Sequence, residues 1–267
     1  MSSSRPIGIF DSGIGGLTVA HEIMHQLPNE SIVYFGDTAR VPYGPKSPDT
    51  VQRYSLEIGA FLRDQDAKAL VIACNTATAH ALPILREQFT IPVLGVVEPG
   101  ARAAVRQSGR RHVGVIGTTG TIRSGAYERA INAIQPGARV TGVACPLFVP
   151  LVEEGWVDHP VTRQIATEYL APLMAANIDV LVLGCTHYKL LKPLLCRILG
   201  PDVTLIDSAA ETAAEVGRAL HDAGLLAPGD AAPTHRFVAS DDPGQFLQLG
   251  QRFLGDAIET VEIHTFV

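Results

Sequence analysis

The chain has 267 residues, 46% of them apolar, with 25 Gly and 18 Pro. That length suits two compact α/β units better than one, and the composition excludes a disordered or fibrous protein. The formal charge is −6 and the densest basic spot is "GRRH" at 109–112, which argues against direct nucleic-acid binding.

The opening "MSSSRPIGIF" lacks the apolar stretch of a secretion signal, and no apolar run approaches membrane-spanning length, so the expectation is a cytoplasmic protein without a membrane partner. Strands are predicted at 7–10, 31–36, 69–74, 92–97, 112–117, 139–145, 180–185 and 203–207. Near-continuous Val/Ile/Leu runs of this kind fit parallel strands covered on both faces. Helical patterns fill 15–27, 49–65, 76–88, 99–107, 123–134, 160–176, 189–199 and 209–223. Alternation of this kind predicts an α/β fold with largely parallel sheets. After Leu226 comes a loop-rich closing segment with a strand-like "HRFVAS" and a short helix.

The first strand runs into "IFDSGIGGLTVA", residues 9–20. Gly-rich turns at strand-to-helix junctions suit anions, yet Asp11 stands at the mouth of this one. A dinucleotide fingerprint would need Gly where Thr18 stands, although Asp37 mimics its ribose-binding acid. A dinucleotide enzyme therefore stays a minority reading, and a turn that simply needs glycine conformations is the plainer one. The following loop, "DTARVPYGPKS", offers Pro42, Tyr43 and Gly44 at a sheet's ligand edge.

Four cysteines stand at 74, 145, 185 and 196, none in a C-x-x-C pair or another metal-like spacing. In a reducing compartment they count as thiols rather than disulfides. A buried, inert cysteine is the default. Position changes that for Cys74, which closes an apolar run and is followed by the polar Asn75 and Thr76. Strand carboxyl ends are where α/β proteins place ligands, and a helix start there favours a thiolate. "VLVLGCTHYKL" repeats the arrangement with Cys185, Thr186 and His187, the imidazole being a credible proton partner. "GTTGTIRSGAY" adds Thr118 and Thr121, which helix capping alone would also explain. In "PLFVPLVEEGW", Glu153 or Glu154 is a candidate partly buried acid, while Cys145 and Cys196 read as structural.

The chain also echoes itself. "RPIGIFDSGIGG" starts at Arg5 and "RHVGVIGTTGTI" at Arg111, an offset of 106, while Cys74 and Cys185 are 111 apart. Two similar units, each contributing one thiol, are the expectation.

Taken together, "IGIFDSGIGGLTV", "VPYG", "ACNTATA", "GTTGTIRSGAY" and "LGCTHY" resemble the glutamate racemase family, within the wider aspartate/glutamate racemases. The matches run in order from residue 7 to residue 188, and the paired "ACNTA" and "LGCTHY" are the specific part. Gly120 stands where the family pattern has Ala, leaving Thr118 and Thr121 in place, and the tail from 224 matches less distinctively.

The resemblance implies two similar α/β domains with largely parallel sheets, related by a pseudo-twofold, with the active site in the cleft between them. Residues 1–98 with 208–267 would form the first and 99–207 the second. It implies interconversion of L- and D-glutamate without pyridoxal phosphate or metal, to supply peptidoglycan synthesis. Cys74 would deprotonate D-glutamate with Asp11 assisting, and Cys185 would deprotonate L-glutamate with His187 and Glu153 in support. Asp11, Ser12, Pro42, Tyr43, Gly44, Asn75, Thr76, Thr118, Thr121, Thr186 and His187 would hold the substrate. Similar proteins often dimerise, so a homodimer is an open expectation without an interface stripe in the sequence to support it. Alternatives are an aspartate or related racemase with the same thiols, a hydrolase or lyase with one nucleophilic cysteine, and a non-catalytic amino-acid binder or topoisomerase modulator.

Overall fold

A computed structural model describes residues 3–266. Among these residues the chain divides into two compact units. The first runs to Val96 and resumes at Ala209; the second is Val97–Ser208.

The first unit comprises β1 (Ile7–Asp11), α1 (Leu17–Gln26), β2 (Ile32–Gly36), α2 (Pro48–Asp64), β3 (Ala69–Ile72), α3 (Asn75–Gln88) and β4 (Val93–Gly95). The second holds α4 (Val97–Gln107), β5 (His112–Gly117), α5 (Thr119–Arg123), α6 (Ala126–Ile134), β6 (Arg139–Ala144), α7 (Phe148–Glu153), α8 (Pro160–Ala175), β7 (Val180–Gly184), α9 (Lys192–Leu199) and β8 (Thr204–Ile206). The chain then returns with α10 (Ala209–Asp222), β9 (His235–Ala239), α11 (Pro243–Leu254) and β10 (Glu262–Ile263).

The first sheet has the order β10-β9-β2-β1-β3-β4 and the second β6-β5-β7-β8. The paired strands of both run parallel. Parallel neighbours need crossover helices, and those helices cover the sheet faces. On one face of the first sheet, Leu17, Ala20 and Ile23 of α1 meet Ala213, Val216 and Leu220 of α10 and Phe246 of α11. On the other, Val51, Ile58 and Leu62 of α2 join Ala77, Ala81 and Leu85 of α3. The second sheet is covered on one side by α4 and α6, through Ala101, Ala104, Tyr127 and Ile131. Its other side packs against α7, α8 and α9, through Phe148, Leu170, Leu173 and Leu195. Each fully buried Leu or Ile contributes about 1.5–3 kcal/mol. Among the described residues no helix is long and apolar enough to cross a membrane.

Both sheets contain the same series. β2-β1-β3-β4 in the first corresponds to β6-β5-β7-β8 in the second, so the internal echo is a repeated topology. In such an order the chain reverses its direction of travel between the first and third strands of each unit, and α/β folds bind ligands outside the carboxyl ends at that switch point.

Some expectations need correction. The helix expected over 123–134 is broken, because Gly125 adopts φ +65° and separates α5 from α6, a left-handed conformation natural to glycine. The residues 139–145, expected to be covered on both faces, form an edge strand with partly exposed side chains. The segment expected as a helix from 189 starts as a 3-10 stretch, Thr186–Leu191. α7 went unrecognised behind Pro146 and Pro150, yet Pro150 falls in its first turn, where the missing N–H is no loss. The tail has the expected strand and short helix: β9 pairs with β2, and α11 packs Phe246 into the first core.

Candidate active site

In the first unit the carboxyl ends of β1 and β3 lie side by side, with Phe10 in register with Ile72. Asp11 ends β1, and Cys74 follows β3 as the cap of α3. Asp11 is buried, and its Oδ1 accepts the Gly13 N–H at 2.9 Å. The turn's anion is thus its own carboxylate, which explains an acid at the mouth of a Gly-rich turn. Tyr34, fully buried under the turn, donates its hydroxyl to the Gly13 carbonyl at 2.9 Å. Burial, and then the charges of Asp11 and Cys74, push the Tyr34 hydroxyl well up, so it stays a neutral donor. At Gly16 a Cβ would lie 2.5 Å from Asp11 Cβ and 2.8 Å from both Ala73 Cβ and the Tyr34 hydroxyl. Only glycine lets the turn close over this carboxylate.

Cys74 is 6% exposed. Its sulfur accepts the Ala77 N–H at 3.5 Å, and the thiol donates to Ser12 Oγ at 3.7 Å. A backbone N–H in the first turn of a helix, aimed at sulfur, is an arrangement that stabilises a thiolate. Asn75 and Thr76 are buried beside it in the first turn of α3. Asp11, Ser12, Cys74, Asn75 and Thr76 therefore gather around one switch point. The loop after β2 behaves differently: Gly44 is buried and Pro42 exposed, while the Tyr43 ring is buried and its hydroxyl donates to Asp37. With the Tyr43 hydroxyl engaged, the polar atoms left at residues 42–44 are backbone. Asp37 corrects the dinucleotide reading, because its buried carboxylate is taken up by Arg40 and Tyr43 instead of facing a ribose.

The second unit repeats the placement. Gly117 of β5 pairs in register with Gly184 of β7, and Thr118 and Cys185 are the first residues beyond the two strands. Thr118 caps α5, its Oγ1 accepting the Thr121 N–H at 3.2 Å and donating to Thr121 Oγ1 at 3.0 Å. Thr121 is buried and Thr186 partly so. Cys185 is 8% exposed, with its sulfur 3.9 Å from His187 Nδ1, while His187 Nε2 lies 3.1 Å from Glu153 Oε1. With Nε2–H donating to the carboxylate, Nδ1 is left to accept the thiol proton. α7, the helix that the sequence concealed, is what carries Glu153 to this imidazole; Glu154 is exposed.

Cys145 is buried against Val143 O, and burial, with the nearby Cys185, pushes its thiol well up. Cys196 is exposed on α9. Tyr34 escaped the sequence reading as one apolar strand residue among others, although a buried tyrosine hydroxyl demands a partner. Among the described residues no group of three or more His, Cys, Asp or Glu is placed to hold a metal ion.

Comparison with known proteins shows the family and the fold. A family model described as Asp/Glu/Hydantoin racemase matches residues 16–216. The glutamate racemase of Geobacter metallireducens is 56% identical over 259 residues, which is 96% of this chain and 95% of that one. A glutamate racemase isoform from Bacillus anthracis has a solved structure that aligns with a TM-score of 0.93 at 44% identity, covering 98% of this chain and 97% of that one. The glutamate racemase of Francisella tularensis, solved in complex with D-glutamate, aligns with a TM-score of 0.92 at 41% identity over 98% of each chain.

Proposed function

The chain belongs to the Asp/Glu/Hydantoin racemase family, and from that premise we propose that it is an isomerase interconverting L- and D-glutamate, the α-proton passing between Cys74 and Cys185. The observation that carries this reading is the repeat: each unit places a nearly buried thiol just beyond its third strand, at the same switch point of the same strand order.

Inversion at Cα requires a proton to leave one face and another to arrive on the opposite face. In the L-to-D direction the Cys185 thiolate takes the α-proton. The electron pair of the broken C–H bond passes into the carboxylate, and the Cys74 thiol then protonates the other face. The enzyme is left with a Cys74 thiolate and a Cys185 thiol, ready for D-glutamate. Thiols suit the work, since their ordinary pKa of about 8.5 lies near working pH and both forms are accessible. His187 and Glu153 support Cys185, and Asp11 serves the Cys74 side, where it also meets the substrate ammonium. Ser12, Asn75, Thr76, Thr118, Thr121 and Thr186, with backbone from Pro42 to Gly44, hold the carboxylates. Neutral donors stabilise charge as it develops without over-binding the ground state. The product D-glutamate supplies peptidoglycan synthesis in the cytoplasm, and light scattering on the purified protein tests whether the working form is a homodimer.

Incubation of L-glutamate with the protein in D2O, without added cofactor, is expected to give D-glutamate carrying deuterium at Cα. Cys185→Ser is expected to lower turnover by at least about 10³-fold, within the range that positioned proton transfer contributes. Substantial turnover in that variant would point instead to a single nucleophilic cysteine. Inversion of L-aspartate in place of L-glutamate would reassign the substrate.

A further inference from the structure

The loop between β2 and α2 has little backbone structure of its own beyond a 3-10 turn at Thr38–Arg40 and a Lys46 N–H to Tyr43 O bond. Its shape comes from a buried side-chain cluster centred on Asp37, which is 0% exposed. Arg40 Nε donates to both carboxylate oxygens, at 3.0 and 2.7 Å, and the Tyr43 hydroxyl donates to Oδ2. Ser240 Oγ, just past the end of β9, donates to Oδ1 at 2.9 Å and accepts the Ala39 N–H at 2.9 Å. Arg40 is held in turn by Glu57 and by the ring of Tyr54, 4.0 Å from its guanidinium carbon. The Asp37 N–H donates to the Asp11 carbonyl at 3.1 Å, so the same residue joins the loop to the end of β1.

We infer that Asp37 is a positioning residue for substrate binding: with Arg40, Tyr43 and Ser240 it sets where the backbone of 42–44 lies relative to Asp11, and so controls glutamate affinity more than proton transfer. The inference rests on the glutamate-racemase reading. A buried carboxylate can pin a loop in this way because its charge is compensated by the guanidinium and its oxygens by hydroxyl donors, so loss of one donor shifts the cluster. The closing segment of the chain thereby acquires a part in substrate binding through Ser240.

The test compares Asp37→Asn, Tyr43→Phe and Ser240→Ala with the wild type, each checked for folding by thermal melting, in racemisation assays from both enantiomers. The expected result is a KM raised about 3- to 10-fold for both, with kcat within about twofold and an unchanged isotope effect on α-deuterated glutamate, the pattern of lost uniform binding. Tyr43→Phe and Ser240→Ala keep the cluster's charges and their packing, so they report even if Asp37→Asn does not fold. Wild-type KM in these two variants, or a fall in kcat at unchanged KM, overturns the inference while leaving an active racemase. An inactive wild type removes the functional reading, and the inference falls with it.

Discussion

Glu153 stands two contacts from the Cys185 thiol, through His187. Its carboxylate lies 3.1 Å from His187 Nε2, and its side chain is 35% exposed. In the proposed mechanism, a charge this close would favour the imidazolium formed when His187 accepts the Cys185 proton. Glu153→Gln keeps an acceptor for Nε2–H but removes the charge. The expected cost is about 10-fold in turnover, part of the ~10²–10⁴ that a positioned acid or base contributes, with no change in melting temperature. The loss should have a direction. If Cys185 serves L-glutamate as proposed, weakening its side slows removal of the α-proton of L-glutamate relative to the step at Cys74. The isotope effect measured with α-deuterated L-glutamate should then rise, and that with the deuterated D-enantiomer should fall. Equal changes in both would show that Glu153 does not act through Cys185.

At the scale of elements, the turn between α4 and β5 depends on one carboxylate. Asp179, at the start of β7, accepts the Arg110 N–H at 2.7 Å and the Ser108 hydroxyl at 2.8 Å. Arg111 beside it takes a left-handed φ of 55°, uncommon for a side chain of its size. Burial pushes the Asp179 carboxyl up, but the Arg110 and Gly109 N–H groups and the Ser108 hydroxyl outweigh it and hold it below the usual carboxylate range. A carboxylate depressed on folding contributes stability that is present above its unfolded pKa and lost as pH falls through the folded value. Asp179→Asn is therefore expected to cost about 1 kcal/mol at neutral pH, below the ~1.5–3 kcal/mol of a hydrogen bond to a charged group because this carboxylate is partly exposed to solvent. In urea unfolding the gap from wild type should close as pH falls below about 4, the ordinary Asp value. A gap that stays constant with pH would show that the charge contributes nothing.

Across the whole chain, what was legible in the sequence was what burial imprints locally. Runs such as "ALVI" and "VLVLG", covered on both faces, announce parallel strands, and Cys74 and Cys185 stand out because polar residues follow them at once. Partners far apart in sequence leave no such imprint: nothing near Asp37 points to Ser240, 203 residues on. A second long-range cluster separates stability from chemistry. Lys68 Nζ lies 2.5 Å from Glu30 Oε2, both side chains almost wholly buried, and also donates to Ser3 O at 2.7 Å. Glu30 Oε1 accepts the Ala227 N–H at 2.7 Å, and the Ser3 N–H donates to Leu226 O at 3.0 Å. The pair thus ties the start of the chain, the entries to β2 and β3, and the segment leading back to β9. All of these are amino ends of strands, whereas Asp11 and Cys74 lie at carboxyl ends. Lys68→Met leaves a buried carboxylate without its cation and is expected to cost about 3–5 kcal/mol. Adding Glu30→Gln removes the stranded charge, keeps an acceptor for Ala227, and should recover about 2 kcal/mol of that loss. Urea midpoints of the single and double variants measure the difference, and kcat below the unfolding transition should equal that of the wild type in both. A double variant no more stable than Lys68→Met would mean that packing of the lysine stem, and not charge pairing, holds this edge of the sheet together.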